Sequence, residues 1–162
     1  MTIRVATEQD QESIWAILEP MIRRGESYTL PRNMRRVPAL EFWFAAGHET
    51  FVFEESGVVL GTYFLRANQG GGGSHVANCG YVTAEAAQGR GIARAMCLHS
   101  LERAKERGFR AMHFNFVVST NERAVKLWIG LGFEIVGRLP GAFRHPENGF
   151  VDALVMYKRL YE

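Results

Sequence analysis

The sequence predicts a mixed α/β domain of the α+β class, with helices flanking a single sheet. Three observations carry that expectation. Strand-like alternation and 3.6-residue periodicity succeed one another along nearly the whole chain, in the order β-α-α-β-β-β-α-β-α-β-β. Glycines stand just past three of the helical patterns, at Gly25, Gly108 and Gly132, where helix C-termini favour them. With 162 residues, 47% of them hydrophobic and 22% charged, the chain has the size of one domain, 1–162, and the apolar content for a core.

Each element has its own signal. Residues 3–6 read as a short strand. Thr7 precedes Asp10 by three, the spacing of a capping box, and Ile14, Ile17, Leu18, Met21 and Ile22 then share one helical face up to Gly25. A second helix begins near Pro38 and carries Leu40, Phe42, Trp43 and Phe44. Residues 51–54 and 58–65 pair as a hairpin across Ser56-Gly57. Gln69 to Ser74 holds four consecutive glycines and reads as a flexible connector into a strand over 75–83. A helix over 89–107 follows, then an alternating, aromatic-rich strand over 111–118 and a helix over 121–131. Strands over 133–136 and 150–158 complete the sheet.

Composition removes several classes of function. Nineteen basic residues face 17 acidic ones, a net charge of +2, too even for a protein that neutralises phosphate backbones, so no nucleic-acid partner is expected. The basic set is almost all arginine, with Lys105, Lys126 and Lys158 the only lysines, which suits bidentate contacts. The local cluster Arg32, Arg35 and Arg36 reads as a solvated turn. No apolar run approaches the ~18–20 residues that span a bilayer, so no membrane partner is expected. The start, Met1-Thr2-Ile3-Arg4, lacks the apolar core of a signal peptide, which predicts a cytoplasmic protein. Cys79 and Cys97 are too few for a zinc site, and His48, His75, His99, His113 and His145 show neither HxxxH nor HExxH spacing, so no metal is expected.

The stretch from Asn78 to Arg94, NCGYVTAEAAQGRGIAR, carries the chemistry. A strand gives way to a loop with Gly89 and Gly91, and a helix starts there. Backbone N–H groups at a helix start lack intrahelical partners, and the dipole adds positive potential, so an anion such as a pyrophosphate is well placed. The glycines let the chain approach phosphates without Cβ clashes, and Arg90 and Arg94 add charge. A tight turn that needs glycine only for its bend explains the same residues. There is no GK[ST], which excludes a P-loop. Arg94 stands where a dinucleotide fingerprint needs Gly or Ala, and Phe109-Arg110 lies where its ribose-binding acid belongs, which argues against a dehydrogenase.

At these residues the sequence resembles the GNAT superfamily of acetyl-CoA-dependent N-acetyltransferases. Gln88, Gly91 and Ala93 meet the signature [QR]-x-x-G-x-[GA] at a helix start. Asn121-Glu122-Arg123-Ala124-Val125-Lys126-Leu127-Trp128, followed by Leu131-Gly132-Phe133, resembles the family's second helix motif. The resemblance implies the GNAT fold, a splayed mixed sheet with flanking helices, and acetyl-CoA as co-substrate. It implies that backbone amides across Gln88, Gly89, Arg90, Gly91, Ile92, Ala93 and Arg94 hold the pyrophosphate. Tyr81, Val82 and Thr83 would pair with the pantetheine arm, Asn121 would hydrogen-bond it, and a backbone N–H near Tyr81 would steady the oxyanion. Gly80 would mark a bulge where the strands part. Many members carry a tyrosine acid where Trp128 stands; an indole N–H is no usable acid, so Trp128 is expected to pack against CoA.

A narrower resemblance concerns the acceptor. His75 to Gly80 (HVANCG), Phe114 to Val117 (FNFV) and Gly137 to Gly141 (GRLPG) are similar to the proline-analogue (azetidine-2-carboxylate) N-acetyltransferases, which implies that Asn78 and Asn115 face a small-molecule amine acceptor. Two mid-strand asparagines also fit a second explanation, in which each satisfies backbone left unpaired where strands part. Glu26 and Tyr28, just after the first helix, are the candidate bases, with His113 and His75 as rivals. Arg144, His145 and Asp152 could hold an acceptor carboxylate or pair with each other. Direct transfer is the family's habit, so no Cys79 intermediate is expected. A small amine, an amino acid or toxic analogue, leads as acceptor. The alternatives are a protein or peptide N-acetyltransferase and a non-catalytic acyl-CoA-binding module. A homodimer is an expectation from similar proteins.

Overall fold

Seven strands form one mixed sheet in the computed structural model, which describes residues 1–161. The strands are β1 (Thr2–Val5), β2 (Glu49–Glu55), β3 (Val58–Ala67), β4 (Val76–Thr83), β5 (Ala111–Val118), β6 (Glu134–His145) and β7 (Gly149–Arg159). The helices are α1 (Gln11–Arg24), α2 (Arg36–Trp43), α3 (Ile92–Glu106) and α4 (Glu122–Gly130). Spatial order is β1-β2-β3-β4-β5-β7-β6, and every pairing is antiparallel except β4 with β5. The element order matches the sequence expectation throughout.

Alternation in the central strands builds a core on each face. Tyr63, Leu65, Cys79, Met112 and Phe114 pack with Met96, Cys97 and Leu101 of α3 and Trp128 of α4. Val52, Phe64 and Val82 pack on the other face with Ile14, Leu18 and Ile22 of α1 and Leu40 and Trp43 of α2. The buried Trp43 indole is satisfied, donating to Thr62 Oγ1 at 2.9 Å.

Two boundaries differ from the sequence reading by three residues or more. Strand β6 runs to His145 rather than ending at residue 136. Its Gly137, Pro140 and Gly141 look like breakers, but β6 is an edge strand paired only with β7, and register shifts at Ile135/Gly137 and Leu139/Phe143 absorb them. Helix α3 starts at Ile92, not Gly89, because Gly89 and Gly91 hold φ values of +80° and +81°. The Gly-rich connector contains a single 3₁₀ turn over Gly71–Gly73.

The capping box at the start of α1 forms, and the structure adds a partner. Asp10 Oδ2 accepts from Thr7 N at 2.7 Å, and its two oxygens take both terminal nitrogens of Arg4 at 2.8 and 2.9 Å. The Arg4 guanidinium holds the Asp10 carboxyl down at about 2, against an ordinary 3.8. A lowered folded-state value means stability that is complete above the ordinary value and is lost as pH falls toward the folded one. Asp10→Asn is expected to cost about 2 kcal/mol near neutral pH by denaturant unfolding. The gap between wild type and variant should then close between pH 3.8 and about 2; an equal gap at both ends would contradict the assignment.

Among the described residues, no helix is long and apolar enough to cross a membrane. Nor do three or more His, Cys, Asp or Glu side chains gather where they could hold a metal ion.

Candidate active site

The site begins where β4 and β5 part. They pair only at Val76 with Ala111 and Ala77 with Met112. Strand β4 stays bonded to β3, and the parity of that ladder follows from its ends: Asn68 N donates to Val76 O, and Ala84 N to Leu60 O, both at 2.8 Å. Even-numbered residues of β4 therefore bond to β3, while Cys79, Tyr81 and Thr83 turn their backbone N–H and C=O groups toward the absent β5. Gly80 is no bulge, contrary to the sequence expectation: the β3–β4 register runs unbroken through it. Glycine is required there by crowding instead. A Cβ at Gly80 would lie 2.7 Å from the Phe64 ring and 2.8 Å from the Tyr28 hydroxyl.

At the head of the gap lies the loop from Gln88 to α3. Six consecutive backbone N–H groups, from Gly89 to Arg94, have no acceptor among the described residues, and the first bond of the helix is Ala95 N to Gly91 O at 3.0 Å. Gly89 and Gly91, at φ +80° and +81°, bend the chain into the helix N-terminus, and unpaired donors in such a nest suit an anion. Arg90 is diverted from it by an ion pair with Glu55. Arg94 has no acidic partner among the described residues, nor has Arg123, whose guanidinium lies 3.0 Å from where a Gly89 Cβ would be. Asn121 caps α4, its Oδ1 accepting from Ala124 N at 3.4 Å, and its amide nitrogen has no partner among the described residues. The nest, and the strand edge at Tyr81 and Thr83, fit a ligand that carries a pyrophosphate followed by an amide-bearing arm.

One wall of the gap is aromatic. Trp128 is buried with its ring centroid 5.2 Å from Tyr81 and 5.0 Å from Phe114. Ser100 Oγ donates to Cys97 O at 2.7 Å, so the Tyr81 phenol is the donor in its 2.6 Å bond to Ser100. Burial pushes the Cys79 thiol far above its ordinary range and the Cys97 thiol up to about 12. Both remain thiols, a poor state for a nucleophile.

The opposite face of the gap is polar. Asn78, 7% exposed, accepts from Arg66 Nε at 3.0 Å and donates to His113 O at 2.9 Å. The odd-residue parity of β4 makes His113 O the next acceptor in the broken ladder, so the Asn78 amide replaces the missing backbone bond. Asn115 sits in the β5 irregularity between Phe114 and Val117 and is exposed. Its Nδ2 donates to Asn68 Oδ1 at 2.6 Å, and Asn68 Nδ2 contacts His113 Nδ1 at 3.1 Å. Thus Asn78 and Asn115 come to one face, but only Asn115 keeps a side-chain oxygen without a partner among the described residues.

The candidate bases fare differently. Tyr28 Oη donates to Tyr81 O at 3.1 Å, and burial pushes its phenol far above the ordinary range, so Tyr28 holds the gap rather than taking a proton. His113 has one ring nitrogen tied to Asn68 and the other buried, and desolvation lowers its pKa, so it stays neutral and is not presented to a ligand. His75 lies before β4 beside Arg110 and Tyr157, at the end where the strands are still paired. Glu26 is exposed and makes no hydrogen bond to the described residues. Asp152 pairs with Arg138 at 2.7 Å rather than with Arg144 or His145, and His145 Nδ1 accepts from the turn amides of Glu147 and Asn148. Sequence reading missed Arg66, Asn68 and Arg123. Arg66 was within reach, since a hairpin closed over the glycine run sets it directly opposite Asn78.

A sequence model of the acetyltransferase (GNAT) family matches residues 15–133. The chain belongs to this family, and it is an N-acetyltransferase whose co-substrate is acetyl-CoA. The N-acetyltransferase aca1 of Schizosaccharomyces pombe is 27% identical over 151 residues, covering 83% of this chain and 72% of that protein. A GCN5-related N-acetyltransferase from Kribbella flavida is 36% identical with a TM-score of 0.92, over 98% of this chain and 96% of that one. A phosphinothricin acetyltransferase (Pat) from Sinorhizobium meliloti, solved in complex with AcCoA, shares the fold at a TM-score of 0.85 and 20% identity, over 98% and 87% of the two chains.

Proposed function

We propose that the protein moves the acetyl group of acetyl-CoA directly to the amine of a small molecule, and that the acceptor is an amino acid of the proline-analogue type. The observation that carries this is the polar face of the gap, where Asn68, Asn78 and Asn115 join in hydrogen-bonded chains around His113. Carboxamides offer both donors and acceptors, which suits a ligand bearing an amine and a carboxylate. A small acceptor is supported by Tyr28, which crosses Gly80 to reach Tyr81 O and covers that edge of the gap.

In this reading the Gln88–Arg94 loop holds the pyrophosphate, the free edge of Tyr81, Val82 and Thr83 pairs with the pantetheine arm, and the Asn121 amide nitrogen donates to it. Acetyl-CoA supplies the thioester, at which a C–N bond forms to the amine while the C–S bond breaks and the thiolate leaves. Tyr81 N–H, turned into the gap, donates to the developing oxyanion. Asn115 orients the acceptor with its free oxygen. Glu26 takes the ammonium proton through water, and the N–H proton released once the C–N bond has formed passes to solvent. Trp128 packs along the arm, and the thiolate takes its proton from solvent, because an indole is no acid at neutral pH.

Thiol release from acetyl-CoA tests the proposal, with cyclic and acyclic amino acids set against peptides with free N-termini. Release with amino acids well above the buffer rate supports it. Release with peptides alone would make the protein a peptide acetyltransferase instead.

A further inference from the structure

We infer that Arg66 forms a carboxylate subsite that selects amino acids among amines, which rests on the small-acceptor reading above and deepens it. Among the described residues the chain's other cationic side chains, Lys158 apart, are each exposed to water or paired with a carboxylate.

Arginines shielded from solvent need a counter-charge or a full set of hydrogen bonds. In this chain the half-buried Arg4, Arg24, Arg36 and Arg103 each meet a carboxylate: Asp10, Glu85, Glu12 and Glu49 respectively. Arg66 is the one half-buried arginine with no carboxylate partner among the described residues. Its only hydrogen bond there is from Nε to Asn78 Oδ1 at 3.0 Å, so both terminal nitrogens remain without acceptors.

The guanidinium is also held in place and aimed. Arg66 lies directly across from Asn78, the first β4 residue beyond the last pair with β5. Its guanidinium carbon sits 5.8 Å from the Phe64 ring centroid, and that ring edge packs on Gly80. The side chain therefore lies between Asn78 and the Phe64 ring, on the face of the sheet where Asn78 borders the gap. The contact with Phe64 and the bond to Asn78 hold the group before any ligand arrives, leaving the fork of Nη1 and Nη2 for a bidentate carboxylate. Asn78 thereby has two tasks: it closes the broken ladder at His113 O and orients Arg66.

The test is a ratio. Acetylation of azetidine-2-carboxylate and proline is compared with that of azetidine and pyrrolidine, which lack the carboxylate, in wild type, Arg66→Gln and Arg66→Lys. Wild type is expected to prefer the acids, and Arg66→Gln to lower the acid-to-amine ratio of kcat/KM about 10- to 100-fold, the loss of one charge-assisted contact. The loss should appear mainly in KM for the acid. Arg66→Lys keeps the charge without the fork and should retain part of the preference, which separates a binding role from a failure to fold. A wild-type preference for acids that survives in Arg66→Gln overturns the Arg66 subsite and leaves the small-acceptor reading standing. Wild type that acetylates peptides and neither acids nor small amines overturns both.

Discussion

Replacing Gly91 with valine is expected to abolish acetyl-CoA binding with little damage to the core. A Cβ at Gly91 would meet nothing within 4 Å, so the substitution introduces no clash. The residue nevertheless holds φ at +81°, which a β-branched side chain resists at a cost of about 1–2 kcal/mol. The chain relieves that strain by rotating the backbone at the N-cap of α3, and the concave run of N–H groups from Gly89 to Arg94 opens. Wild type at ~100 times its dissociation constant for acetyl-CoA gains about 2.7 kcal/mol, roughly 5–10 °C in Tm for a domain of this size. Gly91→Val should lose that ligand-induced shift while still unfolding cooperatively, about 2–8 °C below wild type without ligand. A variant that keeps the full shift would show that the nest does not hold the phosphates.

The second large effect is expected at Gly80, where stability and activity fall together. Alanine there places a methyl 2.7 Å from the Phe64 ring and 2.8 Å from the Tyr28 hydroxyl, closer than packed atoms tolerate. Overpacking of this kind costs about 1–3 kcal/mol. Relief comes from moving Tyr28, which breaks its bond to Tyr81 O, or from tilting Phe64, on which Arg66 rests. Either movement disturbs the strand edge that carries Tyr81 N–H. Gly80→Ala should therefore show a lower Tm and a lower kcat. Tyr28→Phe in the same background removes only the hydroxyl clash and should recover part of the stability without restoring the Tyr28–Tyr81 bond. Wild-type Tm and kcat in Gly80→Ala would contradict this packing.

Much of the fold was legible because its signals are local. Capping at Thr7 and Asp10, the apolar face from Ile14 to Ile22 and the stop at Gly25 all lie within one helix and need no knowledge of the rest. Strand β6 was misread because Gly137 and Pro140 weaken a strand in isolation, whereas pairing with β7 along an edge overrides them. The turn ahead of α3 was legible for the same local reason: spacing alone placed Gly89 and Gly91 at a strand-to-helix turn. The polar face was only half legible. Asn78 and Asn115 stood out as unfavourable in strands, but the reason for Asn78 is a ladder bond missing between strands far apart in sequence. The lone state of Arg66 is less visible still, because a missing carboxylate is a fact about space rather than about neighbours in the chain. Tyr28 looked like a base by position, and only its bond to Tyr81 O shows that it is engaged.

The most direct measurement offers the purified protein acetyl-CoA with an equimolar mixture of amino acids, cyclic amino acids, simple amines and a peptide with a free N-terminus, and identifies the acetylated product by mass spectrometry. Acetylation concentrated on the cyclic amino acids is the predicted result. Acetylation of the peptide with the amino acids untouched would contradict a small-molecule acceptor and reassign the polar face around His113 to polypeptide recognition.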